Sequence, residues 1–394
     1  MRNLRTISQE KKIAMVCRIA TIVLFVGYTV FFTILFHRYY TCTSQDMYWS
    51  DLLLHLGFAR KGMNLYSLTY LLLGLVDKLP HAGWLTSGML TAFLLLGVVA
   101  SKRLLQQIMP KLNKWIVWVL AWIANMFFTF NISYFPGIGE LDYRGMLNFN
   151  VYHNPTYIMM KPFALLTLWF FFRLINKYAD EGIKVYEWFV LSGLMLLTTW
   201  FKPNFMIGFS LSLLCLLIFD FIRHRGKKIL NYIALGTTVF PSVALMYFQQ
   251  TVLFSGGNSN SQMKLGFMTG LRAMAHHPEI KIFLSLIFPL VILCFVFKDL
   301  IKDRFYAFGW FHMIVNLGIT VFIYETGYRL HHGNFIWSSF FALGVLFIVS
   351  LAKLVKLAQE KRVGALAISS GALGAHVFCW INYVCDLMSG TMGF

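Results

Sequence analysis

Residues 13–36 read IAMVCRIATIVLFVGYTVFFTILF, and this stretch decides the fold. As a helix it is long enough to cross a hydrocarbon core of about 30 Å. In lipid, every backbone N–H and C=O group must find its partner within the segment, which only a helix or a closed barrel provides. The run is too long for a signal peptide and lacks a small-residue cleavage site, so we predict an uncleaved anchor.

Similar apolar runs recur to the end of the chain. Of the 394 residues, 58% are hydrophobic and 13% are charged, whereas a soluble domain carries about 25% charge. The sequence therefore predicts an all-α polytopic membrane protein, a single transmembrane domain over residues 1–394 with about eleven spans. The predicted spans are 13–36, 82–101, 114–133, 156–174, 186–200, 205–222, 229–253, 281–297, 305–323, 335–355 and 364–384.

The net charge of +18 follows the positive-inside pattern. Basic residues precede the first span, and most of the other short turns on that side are also basic. The 16 acidic residues divide evenly between the two sides. We therefore predict a multi-pass protein of the plasma membrane with a cytoplasmic N-terminus and an outer C-terminus. The lipid bilayer accounts for the charge, so no nucleic-acid partner is expected.

The first outer loop, residues 38–81, is unusually long and contains two short apolar segments. Residues 48–60, YWSDLLLHLGFAR, are amphipathic at helical spacing, and 64–77, NLYSLTYLLLGLVD, are too short to span. Both segments suit helices lying in the membrane interface. In the first segment Leu52, Leu53, Leu56 and Ala59 share the apolar side, and Asp51 and His55 are expected to lie away from it.

Asp46, Asp51 and His55 are the candidate catalytic residues of this loop. Asp51 and His55 are four residues apart and share one helical face. A carboxylate at a partly desolvated interface can have a raised pKa and act as a general base. The alternative interpretation is that these side chains simply solvate the polar side of a surface helix.

Two further outer segments carry groups suited to an anion. His153 and Asn154 precede the fourth span, which Pro155 is expected to begin, and Lys161 follows within that span. A helix start offers free N–H groups to an anion. Lys202 lies in a tight outer turn between spans five and six, where it either extends idly to the interface or meets a phosphate.

The segment 324–337, YETGYRLHHGNFIW, is the densest polar patch of the second half. Glu325, Arg329, His331 and His332 gather there, and Arg matches phosphate oxygens in bidentate geometry. The adjacent histidines would diverge, so we predict neither a metal site nor a cofactor. The late outer loop, 254–280, contains Arg272 and His276, which we interpret as solvated.

The architecture and residues 50–59, SDLLLHLGFA, resemble the GT-C superfamily of integral-membrane glycosyltransferases. Asp51 matches the acid that this family carries soon after its first span, and NLYSLTYLLL at 64–73 looks like its second interfacial helix. The likeness covers roughly the first 105 residues and is only architectural afterwards.

This resemblance implies an inverting transfer of sugar from a polyprenyl-phosphate-linked donor to a glycan or lipid acceptor in the cell envelope. Asp51 would deprotonate the acceptor, and Arg329 with Lys202 or His332 would stabilise the departing phosphate. Two alternatives remain open at this stage. A polysaccharide polymerase or ligase would use Arg272 and His276 of the late loop, and a lipid-linked-glycan transporter or flippase would place ionisable groups near mid-membrane.

Overall fold

The structure is a computed structural model, and it describes residues 4–42, 50–126, 130, 152–253 and 261–390. Helices dominate this part of the chain, and two short strands form a single antiparallel pair. The α-helices are α1 (Leu4–Thr41), α2 (Leu52–Arg60), α3 (Leu68–Val76), α4 (Ala82–Ile108), α5 (Lys114–Met126), α6 (Pro155–Leu174), α7 (Tyr178–Glu181), α8 (Val185–Phe201), α9 (Asn204–Arg223), α10 (Ile229–Gly236), α11 (Phe240–Phe248), α12 (Thr269–Met274), α13 (Pro278–Ser285), α14 (Ile287–Val296), α15 (Asp299–Lys302), α16 (Arg304–Phe322), α17 (Ile336–Gln359) and α18 (Val363–Ser389). The strands are β1 (Met263–Leu265) and β2 (Ile323–Glu325). Short 3₁₀ helices cover Met63–Leu65, Thr237–Val239 and Gly327–His332, and a π-helical turn covers Gln249–Leu253.

Eight helices of the described residues are long and apolar enough to cross a membrane, or nine when the bent pair α13 and α14 is counted as one span. Two shorter apolar helices, α5 and α8, occupy two more of the predicted spans. The prediction of an all-α, multi-pass membrane protein is therefore confirmed. Within the described residues, each predicted span overlaps a helix or a near-continuous helical segment, and residues 127–129 and 131–133 of the predicted span 114–133 lie outside them.

The predicted span 281–297 is not straight. α13 and α14 meet at Leu286 with a bend of 55°. Pro289 explains the break, because it has no N–H for the carbonyl of Ser285 and its ring clashes with that carbonyl.

The bundle is built around α17. In the hydrophobic window of this segment, 89% of the residues are buried, compared with 28% for the α1 window. Large side chains of α6, α9 and α16 surround α17; the fully buried ones include Tyr157, Phe171, Phe205 and Phe209. The most buried spans are therefore α17 and α6, at 89% and 72%, while α1 and α18, at 28% and 22%, lie at the edge of the bundle.

The first loop forms two short helices, α2 and α3, as predicted, and they are tied to the end of α1. Arg60 donates from Nε and Nη2 to the two oxygens of Asp77 at 2.7 and 2.9 Å. The Tyr40 hydroxyl donates to Asp77 Oδ1 at 3.0 Å. We call this end of the bundle, which also contains the starts of α6, α9 and α17, the loop face.

The late loop is more ordered than the sequence suggested. Residues 254–260 are not among those described, but β1 follows and pairs with β2, with Met263 opposite Glu325. Gly266 and Met268 donate backbone N–H groups to Phe322 and Val321. The pairing brings the late loop to the end of α16 at the loop face.

Ion pairs tie the helices at the opposite end, which we call the basic face. The buried Lys353 ammonium of α17 contacts Asp299 Oδ2 and Asp303 Oδ2, each at 2.7 Å. Lys356 adds a second contact to Asp299 at 2.7 Å. In this cluster the cations and the carboxylates neutralise each other.

Candidate functional site at the loop face

Asp51 lies immediately before α2, where the first loop meets the start of α6. Its backbone N–H donates to the carbonyl of His153 at 3.1 Å, and the Ser50 hydroxyl donates to the same carbonyl at 2.9 Å. The Asp51 side chain is 21% exposed. Two segments far apart in sequence therefore hold this carboxylate in place and leave part of it accessible.

The two oxygens of the Asp51 carboxylate have different surroundings. Asn154 Nδ2 donates to Oδ2 at 2.7 Å, and His153 Nε2 lies 3.4 Å from the same oxygen. In the described part of the chain, no donor contacts Oδ1. Oδ1 is therefore the oxygen to which an incoming hydroxyl group can donate.

Asn154 lies at the centre of the site, and both its amide oxygen and its amide nitrogen make hydrogen bonds. As the N-cap of α6, its Oδ1 accepts the backbone N–H of Tyr157 at 3.0 Å. The same oxygen accepts from Thr156 Oγ1 at 2.6 Å and from Lys202 Nζ at 3.5 Å. These three donors fix the orientation of the amide, so its NH₂ group faces Asp51.

Lys202 follows α8 in the tight turn that Pro203 continues into α9. Besides Asn154, its ammonium donates to Thr156 Oγ1 at 3.1 Å and lies 4.6 Å from the ring centroid of Trp337. Each of these partners is neutral. Among the described residues no carboxylate contacts Lys202 directly, and its positive charge is held by dipoles and by an aromatic face.

His55 lies on the buried side of α2, where its side chain is 8% exposed. The prediction that it points away from the apolar side is wrong. His55 is three residues from Leu52 and four from Ala59, so it falls on their stripe and packs with them. Its Nδ1 lies 3.2 Å from the hydroxyl of Tyr70, which holds the ring beside Asp51.

The electrostatics of Asp51 also differ from the prediction of a raised pKa. Burial acts to raise the pKa, but the hydrogen bond and charge of His153, the charge of His55 and the hydrogen bond from Asn154 together lower it to about 2. Asp51 is therefore ionised at neutral pH, because its donors favour the charged form.

Burial has the opposite effect on the neighbouring bases. Burial lowers the pKa of His55 to about 4, although Asp51 acts to raise it. Burial also lowers the pKa of Lys202 to about 8, again against the attraction of Asp51. At neutral pH the site therefore combines a carboxylate, a neutral His55 and an ammonium group close to its titration point.

The late polar patch adjoins this centre. Arg329 Nη1 lies 3.5 Å from Glu325 Oε1, and Asn334 Nδ2 donates to Glu325 Oε2. Asn204 donates to the backbone carbonyl of Asn334, which links the patch to the turn after Lys202. A small cavity of about 20 Å³ lies against Glu325 and Arg329.

Tyrosines of the first loop close the site on its other side. The rings of Tyr66 and Tyr70 stack with centroids 5.8 Å apart. Burial raises the pKa of Tyr66, and the nearby Arg329 acts to lower it. His55, Tyr70 and Tyr66 thus form a continuous series of ring contacts beside Asp51, and the charge of Arg329 acts on its far end.

Most of the residues predicted from sequence come together here, but three lie apart and one is not placed. His331 and His332 are exposed on the 3₁₀ helix that also carries Arg329. Lys161 lies seven residues beyond Asn154, inside α6, with its Cδ near Gly97 of α4. Asp46 lies outside the described residues.

Sequence reasoning missed Tyr70, Thr156 and Trp337. Thr156 alone carried a local signal, since it lies two residues after the N-cap residue of a predicted helix. Tyr70 reads as an ordinary apolar position of a short helix, and Trp337 as one near the start of a long span. Their role depends on contacts between segments that are far apart in the chain.

No group of three or more His, Cys, Asp or Glu side chains among the described residues is arranged to hold a metal ion. No family model matches the chain, and no curated protein matches it.

Proposed function

We propose that this protein is a membrane glycosyltransferase of the GT-C type, with eleven spans and with α2 and α3 lying in the outer interface of the plasma membrane. It transfers a sugar from a polyprenyl-phosphate-linked donor to a glycan or lipid acceptor outside the cell. One observation carries the proposal: an ionised carboxylate and an ammonium with neutral partners occupy the two ends of the Asn154 amide.

In this reaction the acceptor hydroxyl donates its hydrogen bond to Oδ1 of Asp51. The hydroxyl oxygen attacks the anomeric carbon as the bond from that carbon to the phosphate oxygen breaks. The electron pair of the broken bond goes to the departing phosphate, and the acceptor proton passes to Asp51. Attack opposite the leaving group inverts the anomeric carbon.

Lys202 is the principal partner of the leaving phosphate. Its direct partners are neutral, so its charge is available to the oxygen that gains charge in the transition state. Arg329 already faces Glu325 and is assigned a secondary role at the rim. His153 and Asn154 hold Asp51 rather than the substrate.

A glycan polymerase or ligase centred on Arg272 is less well supported. Arg272 is exposed on α12, and the nearby acidic group is Glu279. Asp51, in contrast, lies in a network that spans four segments. Comparing substitutions at these two residues therefore separates the two functions.

The test uses the full chain in detergent with a panel of polyprenyl-phosphate sugars, and measures release of the polyprenyl phosphate. We expect release by the wild type and a loss of about 10²–10⁴-fold in Asp51→Asn, the usual contribution of a general base. Asp180→Asn is the matched control, because this aspartate is 72% exposed at the basic face.

Arg272→Gln is the decisive comparison. We expect it to retain release. Loss of release with Arg272→Gln and retention with Asp51→Asn would overturn the assignment in favour of the late loop. Absence of release from every donor of the panel would overturn the transferase proposal itself.

A further inference from the structure

Two tryptophans at the basic face are each contacted by two cations. Trp115 of α5 has Arg18 of α1 at 5.6 Å and Lys114 at 5.5 Å from its ring centroid. Trp169 of α6 has Arg103 of α4 at 5.8 Å and Arg173 at 5.4 Å. A further cation of this surface, Lys102, lies 5.9 Å from the Trp118 ring. We call these two groups the Trp115 cluster and the Trp169 cluster.

These cations have no acidic partner in the described residues, and they make no ion pair there. The sequence explains why, since it contains no Asp or Glu between Asp77 and Glu140 or between Asp142 and Asp180. Other cations of the same face are different: Lys353 is held by two aspartates, and Lys177 is paired with Glu187. The first half therefore presents uncompensated positive charge at one place on the membrane surface.

Holding two cations on one ring has an electrostatic consequence. Each cation is attracted to the face of the indole, but the two cations repel each other. An anion between them removes the repulsion and leaves both ring contacts intact. Arg also matches phosphate oxygens in fork geometry, which favours a phosphate as that anion.

The two clusters lie near the ends of membrane helices, which indicates that the phosphate belongs to a lipid headgroup. The tryptophans are half-buried near the ends of α5 and α6, as expected where membrane helices meet the headgroups. Arg18, Arg103, Lys114 and Arg173 are exposed. Basic pockets between helices on the cytoplasmic side bind anionic headgroups in this way.

We propose that the Trp115 and Trp169 clusters are two binding sites for anionic phospholipid headgroups of the inner leaflet. Each site takes one phosphate between its two cations, with the indole as the floor. The two sites lie on α1, α4, α5 and α6, so bound lipids stabilise the contacts among these helices. The chemistry at the loop face does not enter this assignment.

The experiment is native mass spectrometry of the full chain, released from micelles that contain dioleoylphosphatidylglycerol or dioleoylphosphatidylcholine. We expect two retained phosphatidylglycerol molecules and no comparable retention of phosphatidylcholine. The Arg103→Gln/Arg173→Gln variant should lose one of them, with affinity about thirtyfold weaker for the loss of two surface cations. The Arg103→Lys/Arg173→Lys variant keeps the charge and should keep most of the binding.

The matched control is Arg223→Gln/Lys227→Gln. It removes the same charge from exposed residues of the same face that contact no tryptophan ring in the described structure. We expect it to retain both lipids. Equal loss in the control, or equal retention of the two lipids by the wild type, would overturn the proposal. Selective capture of an acidic protein in place of phosphatidylglycerol would overturn it as well.

Discussion

At the loop face, Lys202 and Asp51 are held apart by the amide of Asn154, whereas at the basic face Lys353 contacts two aspartates directly. Both arrangements place a lysine and a carboxylate close together at the end of a helix bundle. In the first, both charges keep part of their binding capacity for another molecule. In the second, the charges satisfy each other and hold α15, α16 and α17 together.

The difference teaches how to separate function from stability among charged residues of a membrane protein. A buried ion pair in direct contact is a structural tie, and removing one partner leaves a charge without compensation. A cation whose partners are all neutral is poised for an anion from outside the chain. Substitutions at the two lysines should therefore have opposite consequences.

The largest expected effect is on the stability of the basic face. Replacing Lys353 with Met should lower the free energy of unfolding by about 3–5 kcal/mol, because the buried Asp299 and the partly exposed Asp303 both lose their Lys353 contact. Equilibrium unfolding in mixed micelles measures this change. Lys356→Met is the control, since Lys356 is 41% exposed, and its loss should stay below about 1 kcal/mol. Similar losses of unfolding free energy in the two variants would contradict the assignment of Lys353 as the structural tie of the basic face.

Lys202→Gln should act on turnover instead. We expect release of polyprenyl phosphate to fall by about 10²–10³-fold, because one donor to a developing oxyanion is removed. Unfolding should change little. Lys61→Gln is the control, as this exposed lysine lies at the same face. If Lys202→Gln lost stability and kept its turnover, the loop face would be structural like the basic face.

The pH dependence of turnover gives a third way to sharpen the comparison. Lys202 binds an anion only when protonated, and its pKa is about 8. Turnover should therefore fall roughly tenfold for each pH unit above about 8, whereas arginine stays charged throughout. The alkaline decline should move upward in Lys202→Arg. A decline at the same pH in both proteins would assign it to another group.

Asn154→Asp should lower turnover least at neutral pH, because Asp51 and Lys202 both remain, although the new carboxylate then contacts Lys202. Aspartate keeps the N-cap of α6, but it places a second carboxylate against Asp51. The pKa of Asp51, now about 2, should rise by roughly 1–3 units, and the acid limb of the turnover profile should shift with it. Asn113→Asp makes the same change at the start of α5, where Asn113 accepts the N–H of Trp115. If the decline of turnover at low pH shifted in Asn113→Asp but not in Asn154→Asp, the role given to Asn154 in orienting Asp51 would be refuted.

Much of the architecture was predictable because the membrane restricts the choices. Apolar runs of span length become helices, since lipid offers no partner to backbone groups. The start of α6 was predictable for a local reason, because Asn154 and Pro155 form a common helix start. Pro289 is a sequence signal for the bend between α13 and α14, but the length and hydropathy of the segment do not reveal it.

The sequence predicted which residues belong to the candidate site better than it predicted what each of them does. Asp51, Lys202 and Asn154 stood out as polar groups at the ends of apolar runs. Their proposed division into a base, an anion partner and the side chain that orients them depends on distances across α2, α6 and α8. The low pKa of Asp51 likewise comes from donors more than one hundred residues away in the chain.

The sequence by itself determined the class of protein and the approximate positions of the helices. These properties follow from composition and periodicity, which act over short stretches of chain. The tertiary structure alone decided that His55 faces inward, that β1 pairs with β2 and that Lys202 meets neutral partners. Each of these depends on which distant segment packs alongside, and no local pattern contains that information.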